Sequence, residues 1–441
     1  MELPGYRGIS QQLLRSSNVA VGDLVLVRVK NNVYEGTLLP RYEYADDHHI
    51  AIKMANGYNV GISTNNIVSV KRIRSSKPPK FVQTPLASID NKLPRLAVIS
   101  TGGTIASRID YRTGGVVPAL SAADLQSLIP ELNNEVRVES EEILNILSEN
   151  VHPKHWTLMA QAVEKHVASG VNGVVITHGT DTMGYSAAAL SFALQGVPIP
   201  VIFVGSQRSS DRPSSDANLN LVGAARIASL ASFSGVYVAM HIGLSDDLLA
   251  VHLGTRTRKN HTSRRDAFQS VNSEIAATVK DKLIEENKLR LPRRGSTSDF
   301  QARSKFDDRV ALVKVYPALD PNLFEFLIQR RVKGVIIEGT GLGHISANLH
   351  KAIKTAIDSG IVVGMTSQCL WGRVRMSVYD TGRDLLKIGV IPLEDMLAET
   401  ALVKMMWVLG NYKRPEEIAS TLVDNLAGEI SLRSPLHVGS K

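Results

Sequence analysis

Apolar runs that alternate with amphipathic stretches set the organisation of this 441-residue chain from position 95 onwards. The short β-branched runs are typical of buried parallel strands, and the longer stretches between them have a helical period. The alternation of strand and helix predicts parallel α/β sheets with right-handed connections. The predicted strands are 96–100, 136–138, 173–176, 201–204, 236–240, 310–315, 334–337 and 361–364, and the predicted helices are 156–168, 186–190, 219–230 and 395–409.

The segment before position 75 has a different pattern. Val27 and Val29 alternate with basic residues, and Asn56-Gly57 joins two alternating runs as a type I′ hairpin turn would. About five such short strands predict a small SH3-like or OB-like all-β barrel, preceded by a loose arm up to about position 20. Because this barrel lacks an interleaved aromatic and basic face, we expect it to dock a partner rather than bind RNA directly.

These patterns predict three folded units and two connections. The barrel covers 1–75, a proline-containing linker covers 76–94, and a first α/β domain covers 95–290. A second linker at 291–309 leads to a second α/β domain at 310–441. The charged stretch 280–309 is predicted to hold the end of a helix and then this second linker.

Charge and composition narrow the class of protein. The chain has 50 Lys and Arg against 42 Asp and Glu, a net charge of +8, which weakly favours an anionic partner. Its basic clusters, 256–265 and 290–294, predict either a solvated surface or RNA contact. The single cysteine, Cys369, excludes an internal disulfide, and no apolar run is long enough to span a membrane, so we expect a cytoplasmic protein. With no Walker-type loop and no zinc-ligand spacing, we expect no ATP or metal bound by this chain.

A polar loop, Thr177-His178-Gly179-Thr180-Asp181-Thr182, follows the predicted strand 173–176 and leads into a helix. Open α/β sheets bind ligands at the carboxyl ends of their strands, so hydroxyl, imidazole and carboxylate groups at this position indicate a functional site. The alternative is an ordinary capped turn with Thr180 or Asp181 as the helix N-cap.

A second loop of this kind, Thr101-Gly102-Gly103-Thr104-Ile105-Ala106, follows the strand 96–100. Its two glycines permit a sharp turn with exposed N–H groups, which suits either a phosphate cradle or a nucleophile loop built on Thr104. The spacing GxGxxG is absent, which disfavours the cradle. A threonine nucleophile needs a base: a buried His178 is expected to be structural, whereas Lys259 is either that base or a surface lysine in a basic loop.

The segments 98–106 and 173–183 resemble the two defining motifs of the asparaginase/glutaminase family, in the family's order. The resemblance covers about 95–410. It implies that Thr104 is the attacking hydroxyl and that Thr180, Asp181 and Lys259 form a triad. It also implies a substrate site at Ser148, Glu149, Gly103 and Gly179, with Glu149 in place of the family's glutamine, and a mobile-loop tyrosine at Tyr111.

Nearly the full chain resembles the D subunits of archaeal glutamyl-tRNA(Gln) amidotransferases, because a barrel precedes the first motif and Leu342 replaces an asparagine found in many bacterial asparaginases. The tail from 379–383 to 407–410 is also similar. The resemblance implies a glutaminase without a cofactor of its own, built as a homodimer core within a heterotetramer. Its ammonia would reach a partner E subunit, which uses ATP and Mg²⁺ to convert Glu-tRNA(Gln) to Gln-tRNA(Gln).

Two other functions remain open from the sequence. The first is a stand-alone cytoplasmic L-asparaginase with an accessory barrel. The second is a basic RNA-binding scaffold on an inactive asparaginase fold, which the intact Thr104, Thr180, Asp181 and Lys259 argue against.

Overall fold

The computed structural model describes residues 3–41, 45–54, 59–75, 93–103, 105, 107–109, 116–118, 132, 135–208, 215–296 and 300–433. Several positions singled out from the sequence lie outside these ranges: the Asn56-Gly57 turn, most of the first linker, Thr104, Ala106 and Tyr111. Among the described residues, no helix combines the length and apolar character that crossing a membrane requires.

The N-terminal unit is a five-stranded antiparallel sheet, which confirms the prediction of a small barrel-like all-β domain. Its strand order is β4-β3-β2-β1-β5. Alternate residues such as Val25, Val27, Ile50 and Ile52 are fully buried in one core, as the period of two predicts. The elements are α1 (Gly8–Ser16), β1 (Leu24–Val29), β2 (Asn32–Leu38), β3 (His49–Met54), β4 (Asn59–Ser63) and β5 (Ile67–Arg74).

The expectation of a loose N-terminal arm is wrong, because α1 packs against this sheet. Leu14 is fully buried in the barrel core, and the Tyr6 hydroxyl donates to the Leu39 carbonyl oxygen at 2.7 Å. A nine-residue helix with one deeply buried leucine leaves too short a pattern for a helical period to be recognised.

The first α/β domain is built on an eight-stranded sheet of order β17-β16-β13-β12-β11-β10-β6-β9. Strand β6 is buried on both faces: Ala97 and Ile99 contact one core, and Leu96 and Val98 contact another. The elements are β6 (Arg95–Gly102), β7 (Ser107–Ile109), β8 (Val116–Pro118), β9 (Arg137–Ile146), α2 (Pro153–Ala168), β10 (Gly173–Thr177), α3 (Met183–Ala193), β11 (Pro200–Val204), α4 (Ala217–Leu230), β12 (Gly235–His241), β13 (Leu249–Leu253), β14 (Thr257–Lys259), β15 (Phe268–Ser270), β16 (Ala277–Lys280) and β17 (Leu283–Glu286).

This sheet is mixed, whereas the sequence predicted a parallel one. Strands β9, β6, β10, β11 and β12 pair in parallel, but β13, β16 and β17 are antiparallel. The helix end predicted near Lys280 is also wrong, because β16 and β17 form a hairpin whose turn includes Asp281 at φ 52°. High charge obscured the alternation in this edge hairpin, where Val279 is buried and Lys280 is exposed.

The second α/β domain contains a four-stranded parallel sheet of order β18-β19-β20-β21. Its helix α8 packs on α3 of the first domain, with the rings of Trp407 and Phe192 6.1 Å apart between centroids. The stretch predicted as a second linker is packed as well, since the Trp407 indole N–H donates to the Arg303 carbonyl oxygen at 2.7 Å. The elements are β18 (Val310–Lys314), α5 (Asn322–Gln329), β19 (Gly334–Gly339), α6 (His350–Asp358), β20 (Val362–Ser367), α7 (Asp380–Lys387), β21 (Ile391–Pro392), α8 (Ala398–Asn411) and α9 (Pro415–Val423).

Candidate active site

The two polar loops leave neighbouring strands side by side. Strands β6 and β10 are paired in parallel, with Ser100 opposite Thr177, so both loops begin at the same edge of the sheet. The Thr101 hydroxyl donates to the Thr177 carbonyl oxygen at 2.7 Å. Beyond it, Gly103 has φ +80°, and a Cβ added there would lie 2.3 Å from the backbone nitrogen of Gly179. Only glycine allows the two loops to approach this closely.

Lys259 contacts the side chains of both Thr180 and Asp181, which lie in the loop after β10. Its ammonium group lies 2.8 Å from the Thr180 hydroxyl and 2.7 Å from a carboxylate oxygen of Asp181. Thr180 is buried, the Lys259 side chain is 14% exposed, and the Asp181 side chain is 67% exposed. The cation therefore lies between a buried hydroxyl and a carboxylate that faces solvent.

The capped-turn alternative does not describe this loop. Helix α3 begins at Met183, its N-cap is Thr182, and no side chain makes a capping hydrogen bond there. The Thr182 hydroxyl instead donates to the Ser148 carbonyl oxygen at 2.7 Å, and Thr180 and Asp181 face Lys259.

Ser148 is buried against the same glycine loop. A Cβ added to Gly179 would lie 2.6 Å from the Ser148 Cβ, so Ser148, Gly179 and Gly103 form one continuous contact. Glu149, the next residue in the short 3₁₀ turn Ser148–Asn150, is exposed. Of the four predicted substrate residues, the structure brings three into contact and places the carboxylate of the fourth at the surface.

His178 is a structural residue, as expected from the sequence. It is fully buried; Nδ1 hydrogen-bonds the Gly179 carbonyl oxygen at 2.7 Å, and Nε2 lies 2.9 Å from the Ser186 hydroxyl. The Trp156 indole N–H donates to that same hydroxyl at 3.0 Å. Burial lowers the pKa of His178 to about 4, so the ring is neutral at neutral pH and holds the loop in shape.

Thr104 lies outside the described residues, but both of its neighbours are anchored. Gly103 abuts Gly179, and Ile105 is fully buried in the core that also contains Leu96 and Val98. Three of the four residues predicted to carry chemistry, Thr180, Asp181 and Lys259, therefore meet in one place.

Each of the five Lys and Arg residues in the basic cluster 256–265 has a carboxylate partner, so the cluster is not a free cationic patch, and residues 260–264 within it are exposed to solvent. No spacing rule reveals these partners in the sequence, since most come from distant segments. The pairs are Arg256–Asp395, Arg258–Glu399, Lys259–Asp181, Arg264–Asp266 and Arg265–Asp246. Across the described residues, no group of three or more His, Cys, Asp or Glu side chains is arranged to hold a metal ion.

Sequence profiles of known domains match most of the chain. The N-terminal asparaginase profile matches residues 95–290, the C-terminal glutaminase/asparaginase profile matches 309–422, and the GatD N-terminal domain profile matches 19–73. Over nearly its full length, the chain is 45% identical to the D subunit of glutamyl-tRNA(Gln) amidotransferase from Thermofilum pendens, covering 98% of this chain and 97% of that protein. The corresponding protein of Pyrococcus furiosus is 46% identical, with 96% and 97% covered.

The chain belongs to the family of glutamyl-tRNA(Gln) amidotransferase D subunits.

Solved asparaginases resemble this D-subunit family member in fold. The thermostable L-asparaginase from Thermococcus kodakarensis matches with a TM-score of 0.69 and 35% identity, covering 76% of this chain and 99% of that one. L-asparaginase I from Vibrio cholerae matches with a TM-score of 0.67 and 26% identity, covering 77% and 100%. The D-subunit family member is thus an amidohydrolase-type enzyme subunit with the asparaginase-like α/β fold and an additional N-terminal β domain.

Proposed function

We propose that this chain is the glutamine-hydrolysing subunit of a glutamyl-tRNA(Gln) amidotransferase and that it acts in the cytoplasm. Two findings support the proposal together. Lys259 contacts both Thr180 and Asp181 beside the glycine loop that leads to Thr104. In addition, the similarity to named D subunits extends through the N-terminal β domain, which the matched asparaginase profiles do not cover.

Thr104 is proposed as the nucleophile that attacks the side-chain amide carbon of glutamine. Backbone N–H groups near the glycine turn, together with Thr180, would stabilise the oxyanion, as preorganised donors do in acyl transfer. The C–N bond then breaks, and the products are ammonia and a glutamyl ester on Thr104. Water hydrolyses that ester to glutamate and restores the hydroxyl.

The contact between Lys259 and Thr180 supports a proton path for this reaction. The Lys259 ammonium group gives a proton through the Thr180 hydroxyl to the departing nitrogen, and the proton of Thr104 replaces it, so that ammonia leaves rather than amide ion. Asp181, which accepts from Lys259 at 2.7 Å, orients the amine. Help of this kind is worth about 10² to 10⁴-fold in rate.

Substrate binding is proposed at the buried Ser148 and the exposed Glu149. Ser148 lies against Gly179, where its hydroxyl would donate to the α-carboxylate of glutamine. Glu149 would accept from the α-ammonium group, with a carboxylate where related asparaginases use an amide.

The remaining steps are proposed to occur on a partner E subunit. That protein would bind ATP and Mg²⁺, activate the glutamate of Glu-tRNA(Gln) and use the ammonia to form Gln-tRNA(Gln), while this chain needs no cofactor. We propose a homodimer of this chain at the core of a heterotetramer. The names of the D-subunit relatives support the amidotransferase assignment.

Reconstitution with the E subunit tests this function. With Glu-tRNA(Gln), ATP, Mg²⁺ and glutamine, we expect Gln-tRNA(Gln) only when both subunits are present. Thr104→Ala should abolish the glutamine-dependent product but leave the product formed from added ammonium chloride, because the ester step is bypassed. Glutamine-dependent product from the Thr104→Ala complex would refute the proposed nucleophile.

A second candidate is a stand-alone L-asparaginase, which the similarity to the Thermococcus kodakarensis enzyme favours. Asparagine and glutamine differ by one methylene, which is worth about 1–3 kcal/mol of discrimination. Efficient asparagine hydrolysis by the isolated chain, unchanged by the E subunit and Glu-tRNA(Gln), would establish this candidate. Glutamine hydrolysis that rises when the partner, tRNA and ATP are added would eliminate it.

A further inference from the structure

Lys259 lies on a ribbon that is separate from the large sheet. Strand β14, which ends at Lys259, pairs with β15 in a two-stranded sheet, with Lys259 opposite Phe268. Thr180 and Asp181 instead follow β10 in the eight-stranded sheet. The distance from the Lys259 amine to Thr180 therefore depends on whatever holds this ribbon in place.

Arg256, three residues before Lys259, ties the ribbon to the C-terminal part of the chain. Its guanidinium is 1% exposed, and it donates to a carboxylate oxygen of Asp395 at 3.2 Å and to the Asp395 carbonyl oxygen at 3.1 Å. It also donates to the Gly428 carbonyl oxygen at 2.7 Å and to the Ser431 hydroxyl at 2.8 Å. Every nitrogen of this buried guanidinium is thus bonded to residues beyond position 394.

Asp395 is bound as completely as its partner. Its side chain is 1% exposed; one oxygen faces Arg256, and the other accepts from the Ser431 backbone N–H at 2.9 Å. Arg373 adds a second cation at 3.8 Å. Removal of the Asp395 charge would leave Arg256 buried with its main counter-charge gone, an arrangement that proteins avoid by moving the cation toward water.

Thr255 and Arg258, which flank Arg256, also contact the C-terminal part of the chain. The Thr255 hydroxyl donates to the Ala427 carbonyl oxygen at 2.9 Å, and the Thr400 hydroxyl donates to the Thr255 carbonyl oxygen at 2.8 Å. Arg258 pairs with Glu399 at 2.9 Å. The residues on both sides of Arg256 are therefore held by the second α/β domain and the segment that follows it.

We propose that the buried Arg256–Asp395 pair is the positioning contact for Lys259, through which the second α/β domain sets the distance between the Lys259 amine and Thr180. The inference rests on the proposed glutaminase function. Loss of the pair displaces β14, and the amine then no longer delivers a proton to the departing nitrogen, although the substrate pocket around Ser148 is unchanged. Arg256 and Asp395 are positioning residues, because they act on the reaction through Lys259.

Two substrates with different leaving groups can distinguish a role of the Arg256–Asp395 pair in positioning Lys259 from a general contribution of the pair to folding. Glutamine must lose ammonia, which requires a proton, whereas the γ-(4-nitrophenyl) ester of glutamate loses 4-nitrophenolate without one. Both substrates need the Thr104 hydroxyl and the same ester hydrolysis. A misplaced Lys259 should therefore slow the amide reaction more than the ester reaction, whereas a partly unfolded enzyme slows both equally.

The experiment compares Asp395→Asn with wild type, with Lys259→Met and with Glu135→Gln, each in the full-length chain. Glu135 forms a partly buried pair with Arg226 and a second ion pair with Lys282, neither of which belongs to β14, and it serves as the control. For Asp395→Asn we expect kcat for glutamine to fall about 100-fold with a small change in KM. The rate on the ester should fall by about tenfold or by a smaller factor. Glu135→Gln should leave the ratio of amide to ester rates at the wild-type value.

Equal losses on both substrates, or wild-type glutamine kinetics in Asp395→Asn, would overturn the inference. If Asp395→Asn does not fold, the double variant Arg256→Met/Asp395→Leu removes both buried charges and should show the same amide-selective loss; wild-type kinetics there would also overturn it. The failure of the proposed function has a different signature: the wild-type chain would release no ammonia from glutamine. An amide-selective loss in Lys259→Met but not in Asp395→Asn would refute the positioning role of the Arg256–Asp395 pair and leave the proposed roles of Lys259 and of the glutaminase standing.

Discussion

The contact between Gly103 and Gly179 allows a test with a single methyl group. In Gly103→Ala the new Cβ would lie 2.3 Å from the Gly179 nitrogen and 2.5 Å from its Cα. Unstrained heavy atoms lie about 3.5 Å apart, so the two loops must separate by about 1 Å. The φ of +80° at this position adds about 1–2 kcal/mol of backbone strain for any residue with a Cβ. Because a shift of about 1 Å can cost about 100-fold in rate, we expect kcat for glutamine to fall by about that factor.

Gly196 provides the matched control. Its φ is +74°, but a Cβ added there meets no atom within 4 Å. Gly196→Ala therefore carries the backbone strain without the contact, and we expect it to lower Tm with wild-type kcat. The assay is ammonia release from glutamine together with thermal unfolding of both variants. If Gly103→Ala retains a kcat close to that of Gly196→Ala, the close approach of the loops is not needed for catalysis and the argument fails.

Three further outcomes follow from the site. Lys259→Ala should lower kcat by about 10² to 10⁴-fold while Tm changes little, because an ion pair to an exposed carboxylate adds at most about 1 kcal/mol; full activity would contradict the relay. Ser148→Ala should raise KM for glutamine about 10 to 100-fold, since a hydrogen bond to a charged group is worth about 1.5–3 kcal/mol; an unchanged KM would remove Ser148 from the binding site. Burial lowers the pKa of His178 from 6.5 to about 4, so the unfolded chain binds a proton that the native chain does not, and stability falls as pH drops from 6.5 to 4. His178→Gln should reduce this slope by up to about 1.4 kcal/mol per pH unit, measured by the urea midpoint at several pH values; an unchanged slope would show that His178 does not stay neutral in the folded state.

The main strands and both polar loops could be predicted from the sequence because their signals are local. A β-branched run such as 173–176 is buried on both faces of a parallel sheet, and its composition alone predicts that. The polar residues that follow it must lie at the carboxyl end of the strand. The structural role of His178 could also be anticipated, although its partners Ser186 and Trp156 could not.

Two wrong predictions, for helix α1 and for the β16–β17 hairpin, arose where the local sequence pattern is weak. Helix α1 is short and owes its position to contacts of Tyr6 and Leu14 with the β domain. The β16–β17 hairpin lies at the edge of its sheet, where charged residues hide the alternation that defines a strand. In both places tertiary packing decided the structure against an ambiguous local pattern.

Sequence alone determined the family, the alternation of the main strands and helices that it predicted, and the residue types available for catalysis. The family resemblance already implied a triad of Lys259, Thr180 and Asp181, and the tertiary structure showed the contacts that join them across 78 or 79 positions of the chain. Only the tertiary structure decided that the basic neighbours of Lys259 pair with carboxylates, some more than 130 positions away. The physical reason is that local pattern depends on interactions between adjacent residues. Pairing between remote side chains depends instead on how whole sheets and domains pack, and this packing brings Asp395 of the second domain to Arg256 of the first.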